Sequence, residues 1–270
     1  MQLLLNLLSA LLIGLVPVAS AVADDAEDAG RKLAQAVYDA PNGDDFASRA
    51  VMTLIEKGRS TRKREMYTMR VDKGGGEQWS FTRFTSPSDI SGVGLLTRDH
   101  PSGESDQWLY LPALDRVRRV SSSRKGGRFV GSDLFFEDLL DRKVGMDRHR
   151  LSGEDKVGGL NCKVLISEPI DPGNSVYSKR ISWIHPGTLT PLRIDLYQGN
   201  ADKPTKRLTV KKIKRIQGFW TVLESMMEDL DTGHVTRIAI SAVKYNQKIP
   251  DQLFTSQALS DESAETRYRP

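Results

Sequence analysis

Most of the chain consists of short segments in which apolar and polar residues alternate. The alternation is clear in residues 192–197, LRIDLY, and in residues 237–242, RIAISA. A period of two places the apolar side chains on one face of a β-strand. The same criteria predict strands at 47–57, 63–72, 76–85, 92–98, 106–111, 115–120, 147–156, 160–168, 177–185, 205–216 and 218–229, separated by glycine-rich turns. The pattern therefore predicts one antiparallel meander of about a dozen strands.

Helical periodicity is confined to two segments. The first, residues 26–38, places alanine, leucine and valine side chains on one face and ends before Pro41-Asn42-Gly43. The second, residues 133–140, follows Ser132, which can cap a helix. An antiparallel sheet of this size must split into a sandwich or curl toward a barrel. We therefore expect these two helices to fill or cap the curl.

Residues 108–140 contain three kinds of segment in succession. An aromatic strand, 108–111, leads into a basic segment with six positive residues and no acid between Arg116 and Arg128. The predicted helix that follows is acidic on one side, where Asp133, Glu137 and Asp141 fall, and apolar on the other. This order predicts an apolar surface with a cover. The basic segment and the acidic side of the helix can pair electrostatically. The apolar side consists of Leu134, Phe135, Phe136, Leu139 and Leu140.

The first 23 residues differ from the rest of the chain. Residues 1–22 are apolar and uncharged, and Ala21-Val22-Ala23 precedes two aspartates, a pattern typical of a cleaved signal peptide. An uncleaved N-terminal anchor is the alternative, although the apolar core is short for a membrane span. We therefore expect a signal peptide at 1–23, one domain at 24–260 and a flexible C-terminal tail at 261–270. Cys162 is the single cysteine, which excludes an intramolecular disulfide.

The chemistry of the sequence points away from catalysis. The net charge of +4 is too small to indicate nucleic-acid binding. The four histidines are dispersed and have no metal-ligand spacing, and Ser121-Ser122-Ser123 lacks the context of a hydrolase nucleophile. We therefore predict no enzyme, no catalytic, metal-binding or cofactor-binding residue, no cofactor and no nucleic-acid partner.

Several segments resemble one known family. The run WLYLPALDRVRR at 108–119, Gly131-Ser132-Asp133 and the strands at 178–184 and 191–193 resemble the LolA-like outer-membrane lipoprotein-sorting proteins of the Gram-negative periplasm. The resemblance extends over essentially the whole mature chain. It implies a mainly β fold, in which a large curled antiparallel sheet forms an incomplete, half-open β-barrel and helices cap an apolar cavity.

The resemblance also implies a function. It suggests a periplasmic, non-enzymatic carrier that binds the acyl chains of lipoproteins or other lipids for transport toward the outer membrane. Members of this branch often accompany inner-membrane exporters of the RND or MMPL type, which makes such an exporter the expected partner. The alternative is an accessory or sensor protein of the RseB type that binds a membrane partner's periplasmic domain. We expect a monomer.

Candidate residues follow from this carrier hypothesis. The apolar side of 133–140, defined above, is predicted to be a lid that fills the empty cavity and competes with cargo. An ordinary helix packed permanently on the sheet is the alternative. We predict that Arg116, Arg118 and Arg119 latch the lid or contact a head group, unless they belong to an edge strand solvated on both faces. The basic segment 203–215 is interpreted as a solvated strand that blocks edge pairing, or else as a docking surface. The predicted cavity lining is Trp79, Phe81, Trp108, Tyr110, Trp183 and Ile194.

Overall fold

The computed structural model describes residues 18–56, 61–121 and 124–270, with side chains from residue 24 onward. Residues 1–17, most of the predicted signal peptide, lie outside the described residues. Within these ranges, no helix combines the length and apolar character that a membrane span requires. The helices are α1 (Val18–Tyr38) and α2 (Ser256–Ser260).

Thirteen strands are present in the described residues, and they match the predicted positions closely. They are β1 (Asp45–Ile55), β2 (Arg62–Gly74), β3 (Glu77–Ser86), β4 (Gly94–Asp99), β5 (Ser105–Leu111), β6 (Arg116–Arg119), β7 (Asp147–Val157), β8 (Leu160–Pro169), β9 (Lys179–His185), β10 (Thr190–Tyr197), β11 (Lys206–Ile216), β12 (Phe219–Asp229) and β13 (Val235–Tyr245).

All thirteen strands form one antiparallel sheet, which confirms the predicted meander. The order is β6-β5-β4-β3-β2-β1-β13-β12-β11-β10-β9-β8-β7, so β6 and β7 are the two outer strands. The sheet curls so that its two ends approach each other. Gly103, between β4 and β5, lies so near to Met146, just before β7, that a Cβ atom on the glycine would be only 2.9 Å from Met146 Sδ. The chain between β6 and β7 must pass from one end of the sheet to the other. We call its described part, residues 124–146, the crossing segment.

Both faces of the β1–β5 part of the sheet are covered by apolar contacts. The inner face, which includes Met52, Met66 and Leu95, packs against the crossing segment. The outer face, which includes Met69 and Phe81, packs against the C-terminal residues 249–268. Alternate residues of each strand serve opposite faces, as the pleat requires.

Helix α1 covers the opposite end of the sheet. The predicted helix at 26–38 is confirmed as part of α1, and its Ala34 packs against Leu165 of β8 and Ile184 of β9. Gly30 makes the close approach possible, because a Cβ atom there would lie 2.7 Å from backbone atoms of Arg150. The crossing segment and α1 therefore share the covering of the inner face.

The predicted helix at 133–140 is wrong, since the structure has only a 3₁₀ turn at Phe136–Leu139. The backbone groups here bond to partners outside a helical pattern. Asp133 N donates to Thr236 Oγ1 at 2.8 Å, and Phe135 N donates to Asp138 Oδ2 at 2.7 Å. Tertiary hydrogen bonds therefore replace the i to i−4 bonds of a helix.

The C-terminal residues 261–270, predicted to be a flexible tail, are packed against the outer face. Glu265 is fully buried, and its Oε1 lies 3.4 Å from Nε of Arg83, which is also fully buried. Arg269 Nη2 contacts the same Glu265 oxygen at 2.7 Å. Glu265 therefore holds the segment through a buried ionic contact, while residues 261–263, 266 and 267 are exposed.

Strand β11 carries the basic segment and is an edge along half of its length. Strand β11 pairs with β10 only from Lys206 to Thr209. The rest of β11 pairs with β12 alone among the described strands. Lys211, Lys212 and Lys214 are exposed there. Repeated lysines on such an edge discourage pairing with another chain.

Candidate functional site

A cavity of about 540 Å³ lies between the inner face and the crossing segment. Its volume falls within the range of small-molecule sites, roughly 300–1,000 Å³. One wall comes from β1, β2, β3, β4, β12 and β13, and the other from residues 129–141. The strand residues in the lining alternate along the chain, as Ser48, Ala50 and Met52 do on β1.

One half of the cavity is apolar. The sheet contributes Met52 and Met66 together with Leu95 and Ile240, and the crossing segment contributes Leu134. Methionine side chains are flexible and polarizable, so they adapt to ligands of different shape. This half therefore suits a flexible hydrocarbon chain.

The other half of the lining is polar. Gln78, Ser80 and Thr82 of β3 all face the cavity, and the Thr82 hydroxyl lies 3.2 Å from that of Thr68 on β2. Arg70, four residues after Met66 on β2, contributes a guanidinium group. A gradient from apolar to polar along the lining favours a ligand that has both kinds of group.

The cavity opens near the turn between β11 and β12. Trp220 lines the cavity and is also 46% exposed, whereas the core lining residue Met52 is 1% exposed. Asn42, another lining residue, is exposed as well. These two residues mark a mouth that faces solvent.

Sequence reasoning assigned the wrong strand face to the cavity. Of the six predicted lining residues, none lines it. Ile194 packs against the inner core, and Trp183 packs with Cys162 and Leu192 in a separate cluster. The remaining four, Trp79, Phe81, Trp108 and Tyr110, belong to the outer-face cluster under the C-terminal segment.

The five predicted lid residues do lie over the inner face, although not in a helix. Leu134, Leu139 and Leu140 line the cavity. Phe135 instead stacks on Tyr177, with ring centres 5.9 Å apart, and Phe136 packs in the same inner core. Movement of this lid stays a prediction.

Asp133 and Glu137, two acidic side chains of the crossing segment, are buried. Asp133 is 0% exposed, and its carboxylate lies 3.2 Å from Arg128 Nη1 and 2.5 Å from His234 Nδ1. Thr236 Oγ1 donates to the same carboxylate at 2.7 Å. Thr236 of β13 and His234, just before that strand, thus hold the segment, whereas Arg128 belongs to the segment itself.

Glu137 and Asp138 provide two further anchors. Glu137 accepts hydrogen bonds from Val176 N at 2.7 Å and from Arg180 Nη2 at 2.5 Å. Asp138 accepts from the hydroxyl of Tyr177 at 3.0 Å, and burial raises the pKa of its carboxyl group. These contacts fix the middle of the crossing segment to the β8–β9 connection.

Lys206 lies beneath the same segment. It is 2% exposed, donates to the backbone oxygen of Asp133 at 2.5 Å, and places Nζ 3.1 Å from the centre of the Phe135 ring. Desolvation by burial lowers the pKa of this amine to about 8. A buried cation therefore supports the cover from the sheet side.

The lowered pKa of Lys206 predicts how stability depends on pH. An unfolded lysine keeps its proton up to about 10.4, so between about 8 and 10.4 the unfolded chain binds more protons than the folded chain. The lysine contribution to the free energy of unfolding should then rise with pH, by at most about 1.4 kcal/mol per pH unit. Urea titrations at several pH values would measure this slope. Lys206→Met should flatten it, and an equal slope in both proteins would contradict the assignment.

Among the residues that the structure describes, the predicted latch residues form no hydrogen bond or ion pair with the crossing segment, although Arg119 borders a pocket together with Lys125 and Leu140. Arg116, Arg118 and Arg119 belong to β6, an outer strand, where Arg119 pairs with Asp106. In the described part of the chain, the cationic contacts to the crossing segment come from elsewhere, namely from Arg64, Arg180 and Lys206. Arg64 of β2 donates to the backbone oxygen of Val130. No local pattern in the sequence distinguishes these cations from exposed ones.

Among the described residues, no group of three or more histidine, cysteine, aspartate or glutamate side chains is placed so that it could hold a metal ion.

Known proteins are similar to this chain in sequence and in fold. A family model described as an uncharacterized protein matches residues 76–261. The crystal structure of a DUF1329 family protein from Desulfovibrio piger is 31% identical, with a TM-score of 0.82, and the match covers 87% of this chain and 99% of that one. A Vibrio parahaemolyticus domain assigned to outer membrane lipoprotein sorting is 28% identical, with the same coverage and TM-score.

A more distant structure shows the fold alone. A LolA superfamily protein from Nitrosomonas europaea is 18% identical, with a TM-score of 0.63, over 87% of this chain and 98% of that one. The predicted LolA-like fold is confirmed by this likeness. No curated protein matches the chain.

Proposed function

This chain belongs to the DUF1329 family and has a LolA-like fold, and on that premise we propose that it is a periplasmic carrier without enzymatic activity. Its cargo would be the acyl chain of a lipid or of a lipoprotein, shielded on the way to the outer membrane. The assignment of the Vibrio parahaemolyticus domain to lipoprotein sorting supports this proposal.

The single observation that carries the proposal is the cavity under the crossing segment. Its apolar half, near Met66 and Ile240, offers a place for methylene groups, while the mouth at Trp220 is open to solvent. Each buried methylene contributes about 0.8 kcal/mol, so an acyl chain gains several kilocalories per mole from such a site.

Access to the cavity would be through the mouth. The middle of the crossing segment is held by the buried carboxylates of Asp133 and Glu137, which makes lifting the whole cover costly. The mouth at Asn42 and Trp220 needs no such rearrangement. Leu139 and Leu140, between the anchors at Asp138 and Asp141, are the lid residues that would shift to admit a longer chain.

A partner protein would load or receive the cargo. We propose an RND- or MMPL-type exporter in the inner membrane for this role, as the resemblance implies. The exposed lysines of β11 lie on the strand that pairs with the one carrying Trp220 and so stand near the mouth. This placement supports contact between the mouth and an anionic surface of the partner.

A cavity-filling substitution tests the proposal. Ala50 lines the cavity and is 2% exposed, so the ring in Ala50→Phe would occupy space that an acyl chain needs. We expect the mature protein to bind the apolar dye 1-N-phenylnaphthylamine, and the variant to bind it at least about tenfold more weakly, which corresponds to 1.4 kcal/mol. Fluorescence titration measures both affinities, and native mass spectrometry of the purified protein would identify retained lipid.

The same substitution on the other face provides the control. Ala239 of β13 lies between the cavity residues Ile238 and Ile240 along the strand, and its side chain is partly exposed. Ala239→Phe should leave the dye affinity unchanged. A mature protein that binds neither dye nor lipid would refute the carrier function, and stable co-purification with an exporter but without lipid would favour the accessory role instead.

A further inference from the structure

Arg70 lies at the polar end of the cavity. Its Nη2 donates to the backbone oxygens of Asn42 and Gly43, at 2.5 and 3.0 Å. Its Nη1 lies 3.3 Å from Oε1 of Gln78, another lining residue. Three neutral acceptors thus hold the guanidinium at the cavity wall.

No carboxylate among the described residues forms an ion pair with Arg70. Two acids line the cavity, but both are bonded to other partners. Asp141 Oδ2 lies 2.6 Å from Lys143 Nζ and accepts from the hydroxyl of Tyr38 at 2.9 Å. Asp138 accepts from the backbone of the crossing segment and from Tyr177. The charge of Arg70 is therefore not neutralised at contact distance.

The surroundings of Arg70 are partly desolvated, and burial lowers the pKa of its guanidinium. The group nevertheless keeps its proton, because arginine is not deprotonated in proteins. Asp72, Asp141 and Asp45 act on this charge only from beyond contact distance. A positive charge partly removed from water and without an opposite charge in contact is unfavourable. An anion bound beside it would relieve this cost, and a charge-assisted hydrogen bond is about twice as strong as a neutral one.

The position of Arg70 also fixes which part of a ligand it can meet. Met66 lies four residues before Arg70 on the same face of β2, which corresponds to about 13 Å along the strand. Between the two lies Thr68, whose cross-strand neighbour on β3 is Thr82. A ligand aligned with β2 would therefore have its polar group at Arg70 and its hydrocarbon at Met66, Leu95 and Ile240.

We propose that the cavity selects an amphiphile with an anionic head group, whose head pairs with Arg70 and whose single acyl chain lies in the apolar half. The inference rests on the proposed carrier function and specifies its ligand class. A carboxylate and a phosphate monoester share the required chemistry, since both offer oxygen pairs to a guanidinium.

Three probes of equal chain length test the selection. Palmitate, hexadecyl phosphate and hexadecanol are titrated into the dye-loaded mature protein at pH 8, and displacement gives each affinity. We expect at least one of the two anions to bind roughly tenfold or more tightly than hexadecanol, which corresponds to 1.4 kcal/mol. The tighter of the two identifies the head group as a carboxylate or a phosphate.

Substitutions at Arg70 separate charge from packing. Arg70→Gln should remove the preference for the anion but leave the affinity for hexadecanol within about twofold. Arg70→Lys should retain part of the preference, because the positive charge stays but the bidentate geometry of the guanidinium is lost. Arg49→Gln is the control, since Arg49 is an exposed residue of β1 paired with Glu65 and lies outside the cavity lining.

The outcomes distinguish this inference from the carrier function. Equal binding of all three probes by the unmodified protein, or an anion preference that survives in Arg70→Gln, would overturn the role of Arg70 while leaving a carrier of neutral amphiphiles. Failure of the unmodified protein to bind any probe would instead overturn the carrier function itself.

Discussion

Removal of residues 261–270 is expected to lower the free energy of unfolding by about 3–5 kcal/mol, the range found when one partner of a buried ion pair is deleted. Arg83 is fully buried and meets one carboxylate within ion-pair distance in the described chain, that of Glu265. Its other polar contacts are the backbone oxygens of Gly92, at 2.6 Å, and of Ala258, at 3.4 Å. The truncation would leave a buried positive charge without its counter-charge.

Urea unfolding of the mature and truncated proteins measures this loss. Arg83→Met in the truncated chain should recover part of the stability, because it removes the orphaned charge and keeps an apolar side chain beside Phe81 and Tyr110. Asp251→Ala is the matched control for a surface pair, since Lys73 and Asp251 are 26% and 51% exposed. It should cost less than about 1 kcal/mol. An unchanged unfolding midpoint after truncation would refute the structural role of this segment.

The strands were the most predictable part of the fold. A period of two survives in the sequence wherever a strand separates two environments, as in Leu192 to Tyr197 and Arg237 to Ala242. Glycine-rich turns such as the one at 74–76 mark where the meander reverses. Strand positions, the single antiparallel sheet and its curl therefore follow from local pattern and sheet size.

The face of the sheet that holds the cavity could not be predicted in the same way. On β3 the aromatic set, Trp79 and Phe81, is the more apolar one and was assigned to the cavity, but it lies under the C-terminal segment. The polar set, Gln78 and Ser80, faces the cavity instead. The local pattern of apolar and polar residues does not show which face each covering segment occupies, because residues 249–268 are distant in the chain from the strands that they cover.

The conformation of the cover also depends on distant partners. The i, i+4 apolar pairs of 133–140 predict a helix, yet the carboxylate of Asp133 is bound by His234 and Thr236, more than a hundred residues away. Local propensity is a weak constraint when buried polar groups need such partners. For the same reason the local pattern predicts the acids on one side of a helix, and Lys206 as part of a solvated basic strand.

Asp133→Ala is expected to be the most damaging single substitution in the crossing segment, with a loss of about 3–5 kcal/mol in the free energy of unfolding. The carboxylate is 0% exposed and interacts with Arg128, His234 and Thr236. Alanine would leave the buried His234 and Thr236 without their shared acceptor, whereas Arg128 is 40% exposed and keeps its pairing with Asp229. Asp133→Asn keeps the shape and one acceptor oxygen, so its loss should be smaller, about 1–3 kcal/mol.

Hydrogen exchange separates loosening of the cover from global unfolding. The amides of Phe129, bonded to the Leu134 oxygen at 2.8 Å, and of Glu137, bonded to the Lys125 oxygen at 3.1 Å, report on the crossing segment. Both should exchange faster in Asp133→Ala than amides of β1 and β13, because the anchor acts on the segment before it acts on the sheet. Asp202→Ala, at an exposed loop position, is the control that should change neither quantity. If the two amides keep their protection in Asp133→Ala, the buried carboxylate does not hold the cover.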